Sequence, residues 1–159
     1  MRIDKLPSGN YRIRETKNGK YYALTIDHKP TKNEARDLLN EKQTGYQNAE
    51  TFKAAADYLK KFNGKDDILA PMALGAIGDC YMELDDLNAA VSYYEKAANK
   101  SKNGFTGPMF LTKAAMTHEL LGNYAAALKC YKTLKADYPL SNEGLEVSRN
   151  IANMEEKLK

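Results

Sequence analysis

The rhythm of apolar and polar positions changes once along this chain. In the first forty residues it alternates with period two: Tyr11–Thr16 (YRIRET) and Tyr21–Asp27 (YYALTID) flank Lys17-Asn18-Gly19-Lys20. Asn-Gly supplies the positive φ angles of a tight turn, so the pattern predicts a β-hairpin. A shorter run, Arg2–Leu6, ends at Pro7-Ser8-Gly9 and offers a third strand. After Pro30, Thr31 and Glu34 form a capping box that opens a helix. Strand alternation puts Tyr11, Ile13, Tyr22, Leu24 and Ile26 on one face, for Ala35, Leu38 and Leu39 of the helix to cover. The opposite face gathers Arg12, Arg14, Thr16, Tyr21 and Thr25, with Lys20 at the turn.

From about Tyr46 onward the spacing becomes i, i+3, i+4, i+7 in alanine-rich segments, broken by Asn-Gly, Asp-Asp and Pro signals. The segments repeat. Setting Ala90 over Ala127 aligns Gly78-x-x-Tyr81 with Ala115-x-x-His118, Leu87 with Tyr124, Tyr94 with Tyr131 and Ala97 with Leu134, a period of 37 residues. Small residues recur where paired helices would cross and tyrosines where the gap widens, which is the requirement of a helix–turn–helix repeat. Pro139 ends the second unit, and Ser141–Leu158, with Leu145, Val147, Ile151, Ala152, Met154 and Leu158, suits a terminal helix with a polar outer side.

On these positions, residues 46–158 resemble a stack of tetratricopeptide repeats, about two and a half of them. Asp85 replaces the usual turn glycine, Lys102 stands where proline is expected, and NKSKNGFTG (99–107) reads as a longer loop. Lys53–Leu59 matches the second helix of an earlier repeat, with Tyr46 at the first helix's tyrosine position. That first helix overlaps the one opened at Thr31, so one continuous helix would serve both parts. The resemblance implies a groove lined by Met72, Gly75, Asp79, Met82 and Glu83 from one unit and Met109, Thr112, Met116, Glu119 and Leu120 from the next. Four Met with three carboxylates describe a soft apolar surface with a negative rim, suited to a peptide bearing apolar and basic residues. Packing of the same methionines into a core is the competing reading. The Lys/Asn set with which some such domains clamp a terminal carboxylate is replaced by Gly75, Ala76, Asp79, Thr112, Lys113 and Met116.

The head carries a second resemblance. SGNYRIRETKNGKYYALTIDHKPTKNEA, within residues 5–42, is similar to the N-terminal arm-binding domain of phage integrases of the tyrosine recombinase class. Such domains bind DNA through a three-stranded sheet, which implies contacts from Arg12, Arg14, Lys20, Tyr21 and Thr25. The recombinase catalytic domain does not follow, so that activity is not expected. A charged, solvated sheet is the bland alternative.

Charge fits this division. Residues 1–42 hold ten Lys/Arg and six Asp/Glu, a net +4, whereas residues 43–159 hold fourteen and fifteen, a net −1. Any attraction for nucleic acid therefore belongs to the head. Cys80 and Cys130 lie in helical patterns without Cys-x-x-Cys or Cys/His spacing and read as buried thiols, and His28 beside Lys29-Pro30 reads as a turn residue. Asp66-Asp67 and Asp85-Asp86 read as turn and cap residues. No catalytic residue, metal or cofactor is expected, and no segment is long and apolar enough to span a bilayer, so a cytoplasmic setting is expected.

The sequence thus predicts a mainly α protein: residues 1–45 as a small sheet plus helix, and residues 46–159 as a tetratricopeptide-like α-solenoid with a capping helix. The expected role is a non-enzymatic scaffold for a protein or peptide. The alternative is an adaptor whose sheet enters the major groove of double-stranded DNA while the array recruits a partner. Joining two families near Gln43–Tyr46 makes the chain chimeric in layout, and an incomplete first repeat would leave an apolar face for a second copy to cover, giving a homo-oligomer.

Overall fold

The computed structural model describes residues 1–101 and 103–159, and of Tyr46 only the backbone. Lys102, and the side chain expected at Tyr46, therefore lie outside the described residues. The chain divides into two compact units, residues 1–51 and 52–159.

In the first unit β1 (Arg2–Lys5), β2 (Tyr11–Lys17) and β3 (Lys20–Ile26) form an antiparallel sheet in that order. Asn18 and Gly19 both take positive φ, 51° and 76°, so the two-residue turn is of the kind Asn-Gly favours. Ile13 pairs with Leu24 and Tyr11 with Ile26, which fixes the alternation. Ile13, Tyr22, Ala35 and Leu39 form the buried core, with Ile3, Leu24, Ile26 and Leu38 packed around it. The anticipated face therefore closes on the helix, although Tyr11 stays half-buried at its margin.

Helix α1 runs from Lys32 to Leu59. Its capping box is reciprocal: Thr31 N donates to Glu34 Oε2 at 3.3 Å and Glu34 N to Thr31 Oγ1 at 3.2 Å. His28, at the strand-to-helix corner, adds a bridge, with Nδ1 2.9 Å from Asp27 and Nε2 2.8 Å from Glu34. Nothing breaks the helix between Leu38 and Phe52. Gly45 sits there in open space and costs only propensity. The helix pair that a complete first repeat needs is replaced by this single helix, whose Phe52, Ala55, Ala56 and Leu59 pack with Ile77, Cys80, Tyr81 and Tyr93 in the second unit.

Helices α2 (Leu69–Glu83), α3 (Leu87–Lys100), α4 (Thr106–Leu120), α5 (Tyr124–Asp137) and α6 (Asn142–Lys157) follow, each packed on its predecessor. Both ends of α2 and α4, and both ends of α3 and α5, are 37 residues apart, so the sequence period is also the structural one. Ala90, Ala115 and Ala127 are completely buried at the crossings. Gly75 accepts the ring of Phe110 and Gly78 the ring of Tyr94 where a Cβ would stand. The turns between paired helices match as well. Asp85, with φ 59°, occupies the left-handed position that Gly122, with φ 70°, takes one unit later. Aspartate tolerates that conformation, so the departure from glycine leaves the turn intact.

Aspartates set the helix starts as anticipated. Asp66 Oδ1 accepts from Ile68 N and Leu69 N at 2.8 and 2.7 Å, and Asp86 caps α3 through Ala89 N at 3.0 Å. Ser141 caps α6 through Gly144 N at 3.0 Å. Val147 and Met154 of α6 are buried, whereas Leu145, read from sequence as inward, is 67% exposed because it falls on the outer side of the helix.

Candidate protein-binding face

Helices α2 and α4 bury one side in the array and leave the other open. On α2 the residues on that open side are Met72, Asp79, Met82 and Glu83, and on α4 they are Met109, Thr112, Met116, Glu119 and Leu120. Spacings of three, four and seven keep each set on one helical face. The two faces adjoin: Phe110 fits over Gly75, Lys113 reaches Asp79, and Thr117 Oγ1 lies 3.9 Å from Met82 Sδ. Met72, Met116 and Leu120 are 41%, 56% and 66% exposed, large values for side chains that gain most from burial. Met82 and Met109 are half-buried against the core around Tyr94 and Phe110. The competing core reading thus describes these two, and surface exposure describes Met72 and Met116.

The charge of this face is more balanced than the sequence suggested. Asp79 Oδ1 accepts from Tyr94 Oη and from Lys113 Nζ, both at 2.6 Å, so an ammonium accompanies that carboxylate. Glu119 Oε1 accepts from Tyr131 Oη at 2.5 Å, so its partner there is a neutral phenol rather than a cation. Burial, and then the adjacent carboxylate, push both Tyr94 and Tyr131 well above the ordinary phenol range. Glu83 is exposed. Tyr94 and Tyr131 occupy equivalent positions, but their acceptors differ by one helical turn: Asp79 in one unit and, at the position equivalent to Met82, Glu119 in the next. Beyond Glu119 an opening of about 460 Å³ is lined by Asn153, Met154, Glu156 and Lys157 of α6. Of these, Met154 is already expected as an apolar position of the terminal helix, whereas Asn153, Glu156 and Lys157 carry no signal beyond its polar side.

In the head, Arg12, Arg14, Tyr21 and Thr25 share the sheet face away from the helix: Arg12 pairs with Thr25 and Thr16 with Tyr21. Arg12, Tyr21 and Thr25 are exposed. Arg14 is half-buried, its Nε 2.7 Å from Asp4 Oδ2 in an ion pair rather than an aligned hydrogen bond, and Asp4 also meets Arg2 at 2.8 Å. Lys20 departs from the expected set. It alternates with Tyr21 onto the helix side and pairs with Glu50 of α1.

A sequence profile of the tetratricopeptide repeat matches residues 111–141, which cover most of α4, all of α5 and the turn through Pro139. A repeat of this kind suggests a protein–protein interaction scaffold. Comparison with curated proteins gives no match. Among the described residues, no helix is long and apolar enough to cross a membrane.

Proposed function

We propose that this chain is a non-enzymatic scaffold that holds an extended or helical segment of another protein against the open face of α2 and α4. The observation that carries the reading is the exposure of Met72, Met116 and Leu120 on adjoining faces of two repeat-related helices. Methionine is soft and adaptable, so such a surface accepts varied apolar side chains. Glu83 and Glu119 favour a basic residue in the bound segment. Lys113, beside Asp79, also admits an acidic neighbour to that residue. The test is an array of short peptides carrying apolar residues with Lys or Arg, followed by anisotropy titrations of the hits. Met116→Glu and Leu120→Glu should each weaken binding at least about tenfold, equivalent to ~1.4 kcal/mol. Lys132→Glu, on α5, should leave it unchanged. Equal affinity in all of these proteins would remove the face from consideration.

A second reading is supported by the co-facial exposure of Arg12, Tyr21 and Thr25: the sheet contacts DNA and the array recruits a partner. Three basic residues on or beside this sheet, Arg2, Arg14 and Lys20, are already offset by Asp4 and Glu50, which lowers the attraction. Salt-sensitive retardation of duplex DNA that is lost in Arg12→Glu would favour it, and no retardation at low salt would dismiss it.

A further inference from the structure

The two helical repeats, α2–α3 and α4–α5, differ sharply at one place. In the first, the rings of Tyr81 on α2 and Tyr93 on α3 stack at 5.6 Å and 13°, and Lys60 Nζ donates to Tyr81 Oη at 2.9 Å. The same positions 37 residues later hold His118 on α4 and Cys130 on α5. An opening of about 360 Å³ lies there, lined by Glu95, Ala98, Leu111, Lys129, Cys130 and Thr133. A carboxylate oxygen of Glu95, a ring nitrogen of His118 and the sulfur of Cys130 lie within 4.8 Å of one another.

We infer that Glu95, His118 and Cys130 form a site for a thiophilic divalent cation of the Zn²⁺ class, with a fourth coordination position facing the opening. Thiolate, imidazole and carboxylate together select zinc-like ions over magnesium or calcium, which take oxygen donors. Tetrahedral bonds of about 2.0–2.3 Å place donor atoms roughly 3.3–3.8 Å apart. His118 Nε2 and Glu95 Oε1 are already 3.0 Å apart, and the Glu95 side chain, about half exposed, is free to adjust. The imidazole is nine-tenths buried and turns Nε2, the nitrogen the ion would take, toward Glu95.

Burial, and then Glu95, raise the Cys130 thiol above its ordinary range, with Lys129 partly opposing them, so the metal-free sulfur carries its proton. Zn²⁺ reverses that preference by binding the thiolate and releasing the proton to solvent. Three protein donors leave one position for water or for a donor group of a bound partner. The site is separate from the open face of α2 and α4, so either proposal stands without the other.

The experiment uses the full chain, reduced and stripped with chelator, titrated with Co²⁺ and then with competing Zn²⁺. Expected are one cobalt per chain, a thiolate-to-cobalt charge-transfer band in the near ultraviolet, and loss of that band on adding Zn²⁺. Cys130→Ala should abolish the band, and Glu95→Gln, at an exposed position, should weaken Zn²⁺ at least about tenfold. Cys80→Ala should change neither. Circular dichroism verifies that each variant is folded. The absence of a thiolate band in the folded wild type, its persistence in Cys130→Ala, or its loss in Cys80→Ala would overturn the assignment.

Discussion

Replacing Gly78 by alanine tests the packing on which the array depends. A Cβ at that position would stand 2.6 Å from Tyr94 Cε1 and 2.7 Å from Cδ1, whereas ordinary contact begins near 3.4 Å. The ring would have to withdraw by somewhat under 1 Å. It has little room, being 97% buried, and its hydroxyl is tied to Asp79, so a shift also loosens a hydrogen bond to a charged acceptor. Overpacking costs about 1–3 kcal/mol and the weakened bond up to about 1.5 kcal/mol. The better helix propensity of alanine returns about 1 kcal/mol. The net expectation is a loss of about 1–3 kcal/mol, read as a lower urea midpoint at unchanged slope. Gly45→Ala is the control. With nothing near its Cβ, it should gain up to about 1 kcal/mol from propensity alone. In a Tyr94→Leu background the cost of Gly78→Ala should largely vanish, giving a coupling of about 1 kcal/mol or more in the double-mutant cycle. A Gly78→Ala protein as stable as the wild type, or a cost that persists without the tyrosine, would refute the close approach of α2 and α3.

Three other changes probe separate features. Asp85→Gly should stabilise by about 0.5–1 kcal/mol, and Gly122→Ala should destabilise by about 1 kcal/mol, because both positions are left-handed; urea unfolding of the pair decides. Hydrogen bonds to Asp27 and Glu34 raise the His28 pKa above 6.5. Its contribution to stability is therefore full below the unfolded value and lost as pH rises through the folded one, a dependence that His28→Gln should remove and that an NMR titration of the ring locates. Tyr94 and Tyr131 should be the last tyrosines to ionise in an ultraviolet titration, and Tyr131→Phe, which deprives Glu119 of its donor, should cost about 1 kcal/mol.

Much of this architecture was legible because local rules and periodicity pointed the same way. Asn18-Gly19 fixed the hairpin, Thr31 and Glu34 fixed the start of α1, and the recurrence of alanine and tyrosine at 37 residues fixed which helices pair. Relations between distant side chains were less readable. Lys113 sits 34 residues from Asp79, and nothing in either neighbourhood announces that the ammonium balances the carboxylate. Lys20 was placed by its nearness to the turn, when alternation along β3 already turned it toward Glu50. Cys130, on α5, carries no local metal-ligand spacing because its neighbours in space come from two other helices, Glu95 from α3 and His118 from α4. Comparing His118 with Tyr81, position against position, held the one available hint, a polar imidazole where the preceding unit stacks an aromatic ring.

The equal separation of α2 from α4 and of α3 from α5 makes residues 104–140 a block of one period. The period is shared but the edges are not: Phe110 seats on Gly75, and the equivalent position in the next block is Thr112. A further copy inserted before Ser141 should therefore add a rung only when Thr112 of the block before it is changed to Gly, which gives the copied phenylalanine its seat. Length, in such a chain, is a quantity that duplication can adjust in whole steps.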